Sequence, residues 1–247
     1  MSQTPTTRPV PTEERISAVI TGASQGIGEA IALAFAKEPG ARLWLVARNA
    51  RALQDVAARC TALGAHAKAL PCDLTDAASV DGLANALEAS DAQPTLLINN
   101  AGRFAQHDLF STTVDEFRDV LDANLVSAFL MTQALAPAMM KRRAGTIIFM
   151  GSVASKRGFA DSATYTAAKH GLLGFARSVR LATQDAGIRV STIMPGATDS
   201  PSWKGTSVPK SRLMPAEDIA QSVLAIAKLS SGTVVEEIVL RPIAGDL

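Results

Sequence analysis

Cysteine and histidine are scarce in this chain: Cys60 and Cys72 are the only cysteines, and three histidines lie far apart among 247 residues. No paired spacing suggests a disulfide framework, and no Cys/His pattern suggests a zinc or iron site. Inert thiols in a reduced, cytoplasmic compartment, with no metal, are the expectation. An excess of either charge is also lacking. Twenty-four basic and 23 acidic side chains leave a net charge of +1. They are scattered without a basic block, which argues against a nucleic-acid partner. No uninterrupted apolar run of about 18 residues occurs, so no membrane span is expected. Internal repeats and low-complexity blocks are missing as well. Residues 1–15 are polar, contain Pro5, Pro9 and Pro11, and have no apolar centre. They read as a disordered tail rather than a signal peptide or anchor.

What is present is 47% hydrophobic residues, ample for a core. Short apolar runs alternate with helical patterns. Strands are expected at Ile16–Ile20, Leu43–Val46, His66–Leu70, Thr95–Ile98, Thr146–Met150, Arg189–Ile193 and Glu236–Leu240. Helices are expected at Gly26–Lys37, Ala50–Leu63, Ala77–Ala89, Thr113–Met140, Ala163–Gln184 and Ala216–Leu229. Pro39-Gly40 stops the first helix, and Thr75 or Asp76 caps the third. Such alternation predicts an α/β fold, a parallel sheet with helices on both faces. No linker interrupts residues 16–241, so one domain over 16–247 is expected. Residues 197–214 read as a loop over a site.

The first strand runs into Thr21-Gly22-Ala23-Ser24-Gln25-Gly26-Ile27-Gly28 and then a helix. Glycines at such a turn let backbone N–H groups approach a pyrophosphate at the helix N-terminus. The spacing is G-x-x-x-G-x-G rather than G-x-G-x-x-G. An acidic residue past the second strand would hold the ribose 2′-hydroxyl of NAD. No Asp or Glu lies between Glu38 and Asp55. Arg48 stands there instead, followed by Asn49, placed for charge-assisted bonds to a 2′-phosphate. NADP(H) is therefore expected over NAD(H).

Tyr165 and Lys169 are four residues apart and share a helix face. A free phenol titrates near pH 10, and a shift of roughly 3 units needs about 4 kcal/mol. One unit charge at about 4 Å, in an effective dielectric near 20, supplies about 4 kcal/mol. The pair is thus expected to give a phenol that exchanges a proton near neutrality.

Asn99-Asn100-Ala101-Gly102, Asn124, Gly151-Ser152, the Tyr165–Lys169 pair and Pro195-Gly196 follow in order along the chain. With TGASQGIG, this ordered set resembles the short-chain dehydrogenase/reductase family over roughly Ile16 to Leu240. The resemblance implies a Rossmann-type, seven-stranded, doubly wound sheet, a nicotinamide cofactor and an Asn124–Ser152–Tyr165–Lys169 tetrad. In that scheme Tyr165 is the general acid or base. Lys169 lowers its pKa and holds the nicotinamide ribose. Ser152 bonds the substrate oxygen, and Asn124 supports a water beside Lys169. The cofactor set comprises Gly22, Ser24, Gln25, Gly26, Ile27, Gly28, Arg48 and Asn49. Asp73 and Leu74 lie by the adenine; Asn99, Asn100, Ala101 and Gly102 line the adenosine side. Pro195, Gly196 and Thr198 border the nicotinamide.

The implied activity is interconversion of a carbonyl (ketone, aldehyde or 3-oxoacyl) and an alcohol. Arg103, Phe104, Val153, Phe159 and Trp203 are the substrate-side candidates, with Lys204 and Lys210 further along the loop. His170 is given a structural role. The alternatives are an NAD(H)-dependent alcohol or hydroxy-acid dehydrogenase and a non-catalytic dinucleotide sensor. The family also implies a homo-oligomer, a tetramer or dimer. Apolar faces on Thr113–Met140 and Ala163–Gln184 fit such an assembly. The ending Arg241–Leu247 departs from the short glycine-rich tail of many relatives, which leaves its part in the pocket open.

Overall fold

The computed structural model describes residues 16–90 and 92–247, so the tail expected at 1–15 lies outside the described residues. The strands are β1 (Ser17–Thr21), β2 (Arg42–Ala47), β3 (His66–Pro71), β4 (Leu96–Asn99), β5 (Gly145–Met150), β6 (Ile188–Pro195) and β7 (Glu237–Leu240). The helices are α1 (Gly26–Phe35), α2 (Ala50–Ala62), α3 (Ala77–Glu88), α4 (Val114–Leu121), α5 (Ser127–Arg142), α6 (Ala163–Thr183) and α7 (Ala216–Ala227). All seven strands form one parallel sheet in the order β3-β2-β1-β4-β5-β6-β7. The order reverses between β1 and β4, and at such a switch point a crevice opens beyond the strand ends.

Strand alternation divides the core in two. Ala18, Ile20, Leu43, Leu45 and Ile98 face α1, α2 and α7. Val19, Trp44, Val46, Leu97 and Phe149 face α3, α5 and α6. Both faces are covered, which explains why the strands carry near-continuous apolar runs. Local signals set the helix starts. Asn49 caps α2 by accepting from Ala52 N–H, and Asp76, not Thr75, caps α3. Thr113 and Glu116 form a reciprocal capping box on α4.

The sequence pattern shows one long helix over Thr113–Met140. In the structure it contains a π-helical turn at Asp122–Val126 between α4 and α5. The whole stretch, Val114–Arg142, is long and apolar enough by length and composition to cross a membrane. Charged and polar residues interrupt its apolar run. Its inner face, with Met131, Leu135 and Met139, is part of the second core cluster. Packing of that kind also makes the core helix of a water-soluble fold apolar.

Candidate active site

Thr21 builds the crevice. Its hydroxyl donates to the Ile98 carbonyl at 3.2 Å and accepts from the Asn100 and Ala101 N–H groups, each at 2.9 Å. The Asn100 amide donates to the Thr21 carbonyl at 2.9 Å. Four bonds therefore tie the end of β1 to the turn after β4, where the strands diverge. Asn100 faces this crevice. Asn99, the last residue of β4, is buried on the other side and donates to Thr132 at 3.0 Å. The expectation that Asn99 lines the adenosine side is corrected: strand alternation turns it into the α5 layer.

The glycine loop passes directly over this tie. Gly22 has φ +65, and a Cβ there would lie 2.9 Å from Ala101 Cα. A Cβ on Gly28 would lie 2.2 Å from the Gly22 carbonyl oxygen. Only bare backbone fits such a cradle. The α1 N-cap residue, Gln25, makes no side-chain cap hydrogen bond. The first-turn N–H groups of α1 thus point at the crevice without a side-chain acceptor, the arrangement that suits a pyrophosphate.

One cavity of about 1050 Å³ runs from this loop across the strand ends. At its first end lie Ser24, Gln25, Ile27, the exposed Arg48, Asn49, Asp73 and Leu74. Asp73 accepts from the Thr75 N–H at 3.0 Å and from the Thr75 hydroxyl at 2.8 Å. These bonds, with Arg48 nearby, hold its carboxyl below the usual carboxylate range. Pro195 and Gly196, at the end of β6, and Thr198 line the cavity further along. Thr198 bridges Met214, which staples the base of the 197–214 loop.

Ser152, Tyr165 and Lys169 form the adjoining wall. Ser152 follows β5, and its Oγ accepts from Ala154 N–H at 3.1 Å. Its hydroxyl also hydrogen-bonds the Tyr165 side chain. Lys169 is buried, donates to the Met150 carbonyl at 2.9 Å, and sits 5.6 Å from the Tyr165 ring centroid. Asn124, on the π-helical turn, is fully buried. It donates to the Arg103 carbonyl and to the Val120 carbonyl, both at 3.0 Å, and accepts from Arg103 N–H at 3.3 Å. Its side chain is thus spent on the Gly102–Arg103 turn. A π-turn at such a place is common at functional sites.

Tyr165 corrects one expectation. Its phenol is pushed up to about 12 by burial, with the Ser152 hydrogen bond pulling the other way. Lys169 is pushed down to about 8, also by burial. Helical spacing brings the pair together, but desolvation outweighs the attraction that spacing alone suggests. At neutral pH the phenol keeps its proton, and the ammonium is mostly charged.

The other end of the cavity is walled by side chains from separate segments. Phe104 meets the Tyr165 ring edge-on at 5.2 Å and stacks on Trp203 at 6.4 Å. Arg103, Val153 and Phe159 line the same region. Lys204 and Lys210 do not; they border a second, smaller pocket behind Gly26. Gln106 and Asp161 clasp the loops after β4 and β5, backed by His107 N–H donating to the Asp161 carbonyl at 3.0 Å. His170 is exposed and contacts only the Thr166 carbonyl of its own helix among the described contacts. Asp246 and Leu247 line the cavity too, a placement that the sequence left open. The tie made by Thr21 at the end of β1 was not read from the sequence, and Gln106, Asp161 and Asp246 were not singled out, because isolated polar residues carry no periodic signal.

Sheet order and crevice together define a Rossmann-type fold. A model of the family described as short chain dehydrogenase matches residues 17–210, and the chain belongs to that family. It is 35% identical over 238 residues to a sepiapterin reductase of Chlorobaculum tepidum, covering 93% of this chain and 97% of that one. It is 34% identical over 220 residues to a 3-oxoacyl-[acyl-carrier-protein] reductase of Salmonella typhimurium, covering 85% and 88%. A solved alcohol dehydrogenase of Thermococcus sibiricus, complexed with 5-hydroxy-NADP, superposes with a TM-score of 0.87 at 27% identity, covering 93% of this chain and 97% of that one.

Proposed function

We propose that this chain is an NADP(H)-dependent carbonyl reductase in which Tyr165 protonates the substrate oxygen. The observation that carries this reading is the single cavity joining a bare-backbone phosphate cradle to a Ser152–Tyr165–Lys169 wall. The glycine loop, Asn49, Asp73 and Asn100–Gly102 hold the dinucleotide, and Arg48 takes the 2′-phosphate. Pro195, Gly196 and Thr198 border the nicotinamide. The similar solved alcohol dehydrogenase, with its NADP derivative, supports the cofactor. The two similar reductases support carbonyl–alcohol interconversion.

When bound, the nicotinamide supplies the hydride. The Ser152 hydroxyl bonds the carbonyl oxygen as negative charge develops there. Tyr165, kept protonated by burial, gives its proton to that oxygen. Lys169 has the lower pKa, so returning a proton to the phenolate runs downhill from its ammonium. Asn124 positions the Gly102–Arg103 turn against Lys169 rather than touching substrate. Phe104, Val153, Phe159 and Trp203 present an apolar, largely aromatic face to the substrate body, with Arg103 at its rim. Free, buried thiols at Cys60 and Cys72 support a reducing, cytoplasmic setting. Exposed Phe117, Phe129 and Leu181 on α4, α5 and α6 support a homo-oligomer. Light scattering reads that directly, and a clean monomer would contradict it.

The test of the reaction is Tyr165→Phe against a carbonyl panel with NADPH. Turnover should fall about 100- to 10,000-fold, with NADPH affinity retained. A variant that keeps its turnover would remove Tyr165 from the mechanism.

A further inference from the structure

After β7 the chain turns at Pro242, and Asp246 comes back to the cavity wall. Its carboxylate oxygen Oδ2 is shared by two guanidinium groups, Arg157 at 3.1 Å and Arg241. Arg157 follows β5 and lies over the Phe159 ring at 4.6 Å, and Phe159 itself lines the cavity. Stacking of this kind holds a guanidinium in place whether or not its anion is there. The Asp246 side chain is only 12% exposed, while both arginines are 45% exposed. Its other oxygen, Oδ1, is buried without a hydrogen-bond partner and faces Gly196, where an added Cβ would stand 3.4 Å away. The carboxylate is therefore held through one oxygen by two cations.

Two cations converging behind a cavity-lining carboxylate make a seat for an anion. We propose that Asp246 is a specificity-determining residue: it fills an anion seat formed by Arg157 and Arg241, and so excludes substrates that carry a carboxylate at that end. This rests on the proposed reductase reading only in taking this end of the cavity for the substrate. With Asp246 in place, the seat carries two positive charges against one negative, and both guanidiniums are already engaged. A substrate carboxylate entering here meets the Asp246 charge before it reaches either guanidinium. Removing that one carboxylate opens the wall onto a stacked guanidinium that has no other ion pair among the described residues.

The test compares para-carboxybenzaldehyde with its neutral carboxamide, in binding by calorimetry and in NADPH-linked turnover. The native chain should favour the carboxamide in both. Asp246→Ala should shift the binding ratio toward the carboxylate by about tenfold or more, the gain of a charge-assisted bond at a partly buried site. Asp246→Asn, which keeps the shape, should shift it in the same direction by less. The doubly substituted Arg157→Gln, Asp246→Ala chain should lose the gain. A binding ratio unchanged in both single variants, or a gain that survives loss of Arg157, would overturn the anion seat. If the ratio shifts but no variant reduces either aldehyde, the seat stands and the reductase reading falls.

Discussion

At one end of the cavity the walls are backbone: Gly22 and Gly28 lie against the Asn100–Gly102 turn with no room for a Cβ at either, and Gly26 lies under Ser200 and Pro201. At the other end, Phe104, Phe159, Trp203 and Asp246 reach in as side chains from four separate segments. Backbone walls fix a shape that every dinucleotide shares. Side-chain walls vary residue by residue without disturbing the sheet, so they carry specificity. Tyr165 stands at the seam. Its ring packs on Phe104 from the substrate end, and its helix carries Lys169 toward the Gly102 turn at the cofactor end.

The contrast breaks most severely at Gly28. In Gly28→Val the new side chain would strike the Gly22 carbonyl oxygen and the Asn100 amide, 2.2 and 2.5 Å from its Cβ. NADPH binding should vanish in calorimetry, and overpacking should lower stability by about 3 kcal/mol in denaturant titration. Retained NADPH affinity would mean that the cradle is not the cofactor seat.

The seam comes next. Folded Lys169 gives up its proton near pH 8, against 10.5 ordinarily. Between those values the unfolded chain holds a proton that the folded chain does not, so raising the pH through this window stabilises the fold, by about 3 kcal/mol at most. Below pH 8 the full cost of burying the charge is present. Tyr165 acts oppositely: its pKa rises from 10.0 to about 12, and the stability it contributes below pH 10 is lost above it. Stability of the cofactor-free protein should therefore climb from pH 8 toward 9; above 9 the buried Cys60 thiol, pushed from 9.0 up to about 11, offsets the climb, and above 10 Tyr165 brings the fall. In Lys169→Met the climb should disappear.

Within the cofactor end, the proposed reading gives Arg48 the charge that selects between NADP(H) and NAD(H). Arg48→Asp should weaken NADPH about 10- to 100-fold, the loss of charge-assisted bonds, and leave NADH little changed. Equal losses would contradict the 2′-phosphate role. The smallest effect falls at the substrate end. Phe104→Ala removes the edge-on contact with Tyr165 and the stack on Trp203, worth about 1 kcal/mol. It should raise KM several-fold while NADPH affinity stays the same.

The same contrast governs what was legible in the sequence. The cofactor end is local: a strand, a glycine turn and a helix start follow one another in Thr21–Gly28, and Arg48 comes at the end of the next strand. The helix stop at Pro39-Gly40 and the cap at Thr75 or Asp76 are equally local. The π-turn was not legible, because one added residue hardly disturbs a helical pattern averaged over Thr113–Met140. Yet Asn124, which sits on that turn, is the residue that bonds Arg103. Asn99 and Asn100 look alike in sequence, and only the strand's exact end decides which of them faces the crevice. The phenol's shift was misjudged because spacing reveals a neighbouring charge but not the burial of both groups. Asp246 was missed because its position depends on Arg157, from a segment far away in the chain.

The sequence contains a single tyrosine, so phenolate absorbance in the near ultraviolet reports on Tyr165 alone. Titrating the protein with and without NADP+ tests whether this phenol stands where the two ends of the cavity meet. Without cofactor, the phenolate should be absent until well above pH 10, in line with a pKa near 12. With NADP+ bound, the added positive charge should bring its onset to lower pH. A phenol that titrates near its ordinary value and takes no notice of NADP+ would contradict the account.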